Sequence, residues 1–442
     1  MSLKIEHLTQ TVNSSDQLLC CFDVSKASLS LYTEYQYAEY QYADQPEPED
    51  GRRASRIEEE IPNQTGAIEQ LLARLEGLAE EIGLRGLCVL AEPTGGFERK
   101  LLDTARRLGH ETGLINPEHV SKLKTVESND TGKTDHKDPR VMHLIARLGK
   151  TQTDRHLPET YHRLRRLTRY YDEDEETLTA ARQRIHAVIS ELFPDYDKSA
   201  TFTFGTTGQA LMDAYAFDPY HIQRAGLGRF KNTLRRRVGA RTSTLEHLFE
   251  RAEESARYHK TEAEVELLVD RLKALWADYR RLTARRTALR AQIEAIGEEL
   301  LAGDELPELD HLKGITLFNL ARLVGQTGPL EDFRSRRALL RYAGLNLRER
   351  QSGTYRGQTR LSKKGRPLLR KILGQTIFPV LRKAMLYGPY YHRKLQEGMV
   401  ASKAKVAVMR KFLCMLHSLV RSGDAFDPER FRQCESQYAL AR

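Results

Sequence analysis

Apolar residues follow two rhythms along this chain. From Leu18 to Tyr32 (LLCCFDVSKASLSLY) an apolar run gives way to alternation at Leu29 and Leu31, which predicts a strand pair. Ile68, Leu71, Leu72, Leu75, Leu78 and Ile82 recur at helical spacing. Leu87–Ala91 (LCVLA) has the length of a buried strand, Glu98–Leu108 reads as a helix ended by Gly109, and Glu111–Ile115 as a further strand. Such strand–helix alternation argues for a layered α/β fold.

The rhythm then becomes helical, from Val141–Leu148 onward. Tyr170–Phe193 and Glu262–Leu301 are charged, periodic and poor in breakers, as in the two arms of an antiparallel coiled coil. Between them, TFTFGTTGQALMDAYAFDPY is expected to be a small helical insert. Leu306–Arg421 is expected to be helical, with turns at Gly314, Gly344, Gly353, Gly357 and Gly365. Near the front, Tyr35-Gln36-Tyr37-Ala38-Glu39 is echoed by Tyr40-Gln41-Tyr42-Ala43-Asp44, and a Pro-rich acidic stretch runs to Asp50. The repeat reads as a strand extension and the acidic stretch as a mobile loop.

At 442 residues the chain is long enough for two or three domains of ~100–200 residues each. No apolar run reaches the ~18–20 residues of a membrane span, and MSLKIEHLTQ lacks a secretion signal pattern, so no membrane partner and a cytoplasmic location are expected. Cys20, Cys21, Cys88, Cys414 and Cys434 are odd in number and show no C-x-x-C spacing, so reduced thiols are expected rather than a disulfide framework or a zinc knuckle. The formal charge of +9 is concentrated at the rear: Lys313–Arg421 holds 24 Lys/Arg against 4 Asp/Glu. That imbalance is the footprint of a phosphate-backbone binder.

Four carboxylates stand out by setting. Asp23 lies among Cys21, Phe22 and Val24, where a charge is costly unless compensated. Glu92 ends the second apolar run, at VLAEPTGG. Asp135 and Asp138, three residues apart in TDHKDPRVMHLIARL, would share one face of a helix. Gathered together, the four could hold one or two Mg²⁺ ions, which prefer oxygen ligands and assist phosphodiester chemistry. Singly, each has a structural reading: Asp138 before Pro139 is a good N-cap, and Glu92 suits a solvated loop.

The order FDVSK, AEPTGG, INPEHV, KTDHKD resembles the N-terminal domain of DEDD transposases, the insertion-sequence one-ten family that includes the pilin-gene invertases and the bridge-RNA-guided recombinases. Asp23, Glu92, Asp135 and Asp138 fall on that family's four acidic positions. Phe22 replaces the usual small or branched residue before the first Asp, Pro139 the usual Ala after the last, and residues 35–62 look like an insertion.

The rear continues the resemblance. Leu312–Gly325 (LKGITLFNLARLVG) is similar to the family's helix-hairpin-helix, with Lys313 for Pro and Thr316 for the second Gly. Arg341–Gly353 (RYAGLNLRERQSG) matches the family's A-G-L-x-P-x-x-x-x-S-G, with Leu347 where proline is common, and puts Ser352 at the position of the recombinase nucleophile. A serine hydroxyl attacks phosphate best where cations neutralise developing charge, and Arg348, Arg350, Arg356, Arg360, Lys363, Lys364 and Arg366 supply it nearby. Without the resemblance Ser352 reads as a turn residue. Thr354 and Ser362 are competing hydroxyls, and Tyr355 would imply a different chemistry. Tyr387, Tyr390 and Tyr391 are candidates to stack on bases or to pack in a core.

The resemblance implies an α/β plus all-α protein: an RNase-H-like domain of the Holliday-junction-resolvase type over 15–165, coiled-coil arms with a small insert over 166–305, and a basic helical transposase domain over 306–430. It implies cutting and rejoining of donor and target DNA through a covalent phosphoserine, with Mg²⁺ at the acidic site, a structured guide RNA, and dimers pairing into a tetramer. The alternatives are a metal-dependent resolvase-like nuclease without a covalent intermediate, and a non-enzymatic RNA-binding scaffold.

Overall fold

The computed structural model describes residues 16–38, 52–128, 137–258, 260–307, 313–348, 351–352, 355–356 and 360–433. Their packing forms two compact units. The first unit takes the described residues of Met1–Pro158, Thr327–Arg370 and Leu386–Arg442; the second takes those of Glu159–Gln326 and Lys371–Met385. Residues of the rear segment, 306–430, contribute to both units.

The first unit is built on a six-stranded sheet in the order β3-β2-β1-β4-β5-β6. β1 (Leu18–Val24), β2 (Ser28–Ala38) and β3 (Arg52–Pro62) form an antiparallel meander. β4 (Leu87–Ala91) and β5 (Glu111–Leu114) continue it in parallel, and β6 (Gln152–Thr153) closes it antiparallel. Residues 52–62, grouped by sequence with an insertion, are thus a full strand of the sheet, with Ile57 and Ile61 packed on its core. The second copy of the tyrosine repeat and the acidic stretch lie outside the described residues.

Side-chain alternation in the two central strands divides the core. Leu18, Cys20, Phe22 and Val24 of β1, with Leu87, Val89 and Ala91 of β4, meet α1 (Thr65–Glu81) and α2 (Glu98–Arg107). Leu19 and Cys21, with Cys88 and Leu90, meet α3 (Pro117–Ser128) and α4 (Lys137–Arg147) through Val120, Val141, Met142 and Ile145. Full burial of side chains such as Phe22 and Leu90 is worth roughly 1.5–3 kcal/mol each. The helix and strand expectations for this region agree with the elements found; Cys20, Cys21 and Cys88 are free and buried, Cys414 is free and half-buried, and Cys434 lies outside the described residues.

The rear part of the first unit is less helical than its sequence suggested. After α12 (Arg336–Tyr342), β7 (Leu347–Arg348) pairs with β10 (Arg360–Leu361), and β8 (Gln351–Ser352) pairs with β9 (Tyr355–Arg356). Gly, Ser, Thr and Tyr in QSGTYRGQT disfavour a helix and suit a ribbon. α13 (Pro367–Ile377), α14 (Gly388–Gln396) and α15 (Ala401–Ser422) follow in the chain, and α15 packs on both α12 and α14. Tyr387 is fully buried against Phe412 and Phe431, so core packing excludes it from stacking on bases.

In the second unit α5 (Glu159–Leu192) and α10 (Glu262–Ala302) lie side by side and antiparallel: Tyr161 meets Glu305, Asp174 meets Arg285, and Arg182 lies over Tyr279. α5 begins eleven residues before the expected Tyr170, because the arginines at 163, 165 and 166 dilute an apolar stripe that Tyr161, Leu164 and Leu167 already start. The expected small insert is larger: α6 (Ala200–Thr203), α7 (Thr206–Tyr215), α8 (Pro219–Val238) and α9 (Thr242–Ala256) enclose a core with Trp276, Phe217 and Phe230. α11 (Leu317–Thr327) follows a turn in which Gly314 takes φ +98°. Thr316, the departure from the hairpin pattern, accepts the amide of Asn319 as a helix cap.

Candidate functional site

The alternation that sorts the core also aims two of the acids. Asp23 continues the Leu19–Cys21 stripe of β1, and Glu92 continues the Cys88–Leu90 stripe past the end of β4, so both belong to the face covered by α3 and α4. The parallel register pairs Phe22 with Ala91, which makes Asp23 and Glu92 the next neighbours across the strands. Both are half-buried. Burial, and then the Asp23 charge, raise the Glu92 carboxyl above its ordinary range, while Lys124 pulls it back.

Lys124, on α3, also forms an ion pair with Asp138, in the first turn of α4. Pro139 is accommodated because that turn needs no amide donor there. One lysine thus links the strand-end carboxylates to the carboxylate of α4. Asp135 lies outside the described residues. Among those described, no three His, Cys, Asp or Glu side chains are already gathered as a metal cage.

The motifs between these acids have structural duties. In INPEHV, Ile115 is buried, the Asn116 side chain accepts the Glu118 amide at 2.9 Å, and Pro117 opens α3. In EPTGGFE, the buried Glu98 carboxylate accepts the amides of Thr94 (3.1 Å) and Gly96 (2.9 Å), folding the loop that carries Glu92. In FDVSK, Ser25 Oγ accepts the amides of Ala27 and Ser28, and the turn is tied to Asn63.

The basic motif reaches the same helix. Lys364 donates to Glu118 on α3, which Lys122 also holds, and these two lysines draw the Glu118 carboxyl down to about 2. Lys363 takes φ +54°, and its amide donates to the Gly344 carbonyl. Gly344 and Gly365 meet backbone to backbone: a Cβ on Gly365 would lie 2.4 Å from the Gly344 nitrogen. Ser362 donates to the Asn346 side chain, and Arg366 lies over Tyr342. The AGLN and SKKGR motifs therefore clamp the foot of the ribbon. Ser352 sits in the inner ribbon, opposite Tyr355. Arg348 and Arg360, both exposed, face each other across the outer one. Arg356 lies in the inner ribbon, and Arg350 lies outside the described residues.

A family described as Transposase IS116/IS110/IS902 matches residues 307–392, and a DEDD transposase model of the IS110 type matches residues 49–194. Together the two matches span slightly more than half of the chain. The chain belongs to the IS110 family of transposases. No curated protein matches it. The protein is accordingly a DNA transposase, and an enzyme.

The match to the DEDD domain implies an RNase-H-like fold for the transposase's sheet region and a divalent metal ion, typically Mg²⁺. The residues present fit such an ion. Asp23 and Glu92 are two like charges brought together in partial burial, and they raise the proton affinity of Glu92; a cation relieves that repulsion. Sequence reasoning missed Lys124, Glu98 and the Lys364–Glu118 pair. Nothing in their local sequence distinguishes them from solvated charges, and their partners are 14, 4 and 246 residues away. Among the described residues, no helix is long and apolar enough to cross a membrane.

Proposed function

We propose that the transposase cuts and rejoins DNA strands through a covalent phosphoserine at Ser352, with Asp23, Glu92, Asp135 and Asp138 holding one or two Mg²⁺ ions. The observation that carries this reading is the convergence of Asp23 and Glu92 at adjacent strand ends on the α3–α4 face, with Asp138 joined to them through Lys124. A bound Mg²⁺ supplies charge neutralisation at the phosphate and at the leaving oxygen.

In the proposed step, Ser352 Oγ gives up its proton and forms a bond to phosphorus. The bond from phosphorus to a deoxyribose oxygen breaks, and that oxygen is protonated as it leaves. Attack by a hydroxyl of a second strand reverses the exchange, so no bond energy is lost to water. Arg348, Arg350, Arg356, Arg360, Lys363, Lys364 and Arg366 bind the phosphates. The facing of Arg348 and Arg360 supports this, since like charges directly opposite in a ribbon are unfavourable without an anion.

The excess of base in Lys313–Arg421 also suits a structured guide RNA. The long α5–α10 pair suits coiled-coil pairing of protomers into dimers and a tetramer.

The deciding experiment uses nicked donor DNA that traps the cut strand. Wild-type protein with Mg²⁺ should give a protease-sensitive protein–DNA adduct, and Ser352→Ala should bind DNA and give none. Cleavage by Ser352→Ala at the wild-type rate would replace this mechanism by metal-dependent hydrolysis. Full function of Asp23→Asn and Asp135→Asn would replace it by a binding scaffold. Sequencing RNA that copurifies with protein expressed beside its native flanking DNA tests the guide: one discrete, folded RNA supports it, and random RNA released by salt opposes it.

A further inference from the structure

The first unit contains a cavity of about 820 Å³ that lies apart from the acids and from the ribbon. It is bounded by the start of α12, the C-terminal half of α15 and the residues that follow. That volume is within the roughly 300–1,000 Å³ usual for small-ligand sites. Its walls have two characters. Met415, Leu419, Phe426 and Phe431 supply apolar and aromatic surface, with Phe426 buried and Phe431 half-buried. Arg334, Arg336 and Arg337 border it on one side, and Arg421 and Arg430 on the other.

Arg336, Arg337, Arg421 and Arg430 find little neutralising charge in the protein. Arg336 and Arg337 have no ion pair among the described residues. Arg421 donates to a carbonyl, that of Arg334 (2.7 Å), and Arg430 has a long contact with Asp424 (3.9 Å). Asp424 and Asp427 are the acidic residues of the lining, against five arginines. His417 is buried in the wall and bonded to the Phe333 carbonyl at 2.8 Å. Burial lowers its proton affinity most, the Phe333 carbonyl raises it in part, and the charges of Arg421 and Arg336 lower it again. A neutral imidazole, aromatic rings and unneutralised guanidinium groups around one concavity are complementary to an anion that carries a flat apolar body.

We infer that this cavity receives one or two unstacked nucleotides of a single strand, with a base against the half-buried Phe431 and phosphates on Arg336, Arg337 and Arg421. Splayed bases are recognised by stacking on aromatic rings and guanidinium planes. The inference rests on the proposed reading of the chain as a nucleic-acid enzyme and adds a site to it.

The test uses full-length protein and single strands of DNA and of RNA carrying one 2-aminopurine. Binding should change the probe's fluorescence, because the base enters an aromatic pocket. Arg336→Ala/Arg337→Ala, which alters exposed side chains and leaves the core intact, should weaken single-strand binding at least tenfold, while Arg281→Ala, an exposed arginine of α10, leaves it unchanged. Phe431→Ala should reduce the fluorescence change. Photocrosslinking from 5-iodouracil should map to the peptide containing Phe426 and Phe431, and comparison of the DNA and RNA arms identifies the source of the strand. Binding with unchanged affinity and fluorescence in the double-arginine variant, or crosslinks confined to other peptides, overturns the pocket and leaves the transposase reading intact. Failure of the wild-type protein to bind any nucleic acid overturns both.

Discussion

Lys124 forms an ion pair with Asp138 and lowers the proton affinity of Glu92, so a single ammonium group serves carboxylates from two different parts of the sheet–helix layer. The consequence follows from charge alone. A divalent ion bound by Asp23, Glu92 and Asp138 must share or displace that ammonium. Replacing Lys124 by Met keeps most of the stem and removes the competitor. Titration calorimetry with Mn²⁺ on the full-length protein should give a Kd about 3–5-fold lower than wild type, the equivalent of the ~0.5–1 kcal/mol expected for a partly exposed pair. The same variant should lose stability without metal, because the acids then repel unscreened. A weaker Mn²⁺ affinity would mean that Lys124 positions the ligands rather than competes for them.

A second lysine-like anchor is larger in energy. Arg155, just after β6, donates to Asp332 at 3.1 Å, to the Pro329 carbonyl at 3.0 Å and to the Thr327 carbonyl, and lies 4.9 Å from the Phe333 ring centre. Its side chain is 15% exposed and that of Asp332 16%. Removing one partner of so enclosed a pair typically costs about 3 kcal/mol. Arg155→Ala should therefore speed amide exchange in Thr327–Tyr342 by about a hundredfold, with α5 and α10 unaffected. Equal exchange in both proteins would show that the rear segment is held by its apolar contacts alone.

Much of the sheet domain was legible because each strand and helix there buries a regular apolar stripe: Leu18 to Val24, Ile68 to Ala79 and Leu87 to Ala91 announce themselves. The acids were legible as exceptions to those stripes. What stayed hidden depends on distant pairs. β3 reads as polar because one of its faces is solvated, and it is stabilised by its register with β2. The ribbon around Ser352 has two-residue strands, too short for any period to show. The division of the rear segment between two units follows from packing partners such as Arg155 and Asp332, 177 residues apart.

The glycine clamp under the ribbon is a sharp test of whether that foot matters. Gly365→Ala places a methyl 2.4 Å from the Gly344 nitrogen and 2.5 Å from the Tyr342 carbonyl, in backbone that disfavours any side chain (φ +156°). Strand cleavage should fall at least a hundredfold, with far-ultraviolet circular dichroism little changed. Gly77→Ala is the control: its Cβ meets nothing within 4 Å in the middle of α1, and alanine there should stabilise by about 0.5–1 kcal/mol. Wild-type cleavage by Gly365→Ala would separate the foot of the ribbon from the chemistry.

Acid should weaken the sheet domain through His143. This ring on α4 is 4% exposed and packs edge-on against Tyr32 at 5.5 Å, with Glu34 at 3.8 Å. Burial lowers its proton affinity, Glu34 raises it in part, and Arg147 lowers it again, leaving the folded-state value below the ordinary 6.5. The unfolded chain thus takes up a proton at a higher pH than the folded one. The stabilising contribution is complete above pH about 6.5 and is lost as pH falls from there through the lowered folded value. His143→Phe keeps a ring against Tyr32 and removes the titration. Melting curves taken every half unit from pH 8 to pH 5 should show the wild type losing Tm relative to this variant once the pH drops below about 6.5. Parallel curves across that range would show that the imidazole titrates in the folded protein as freely as in the unfolded chain, and that α4 does not bury it in solution.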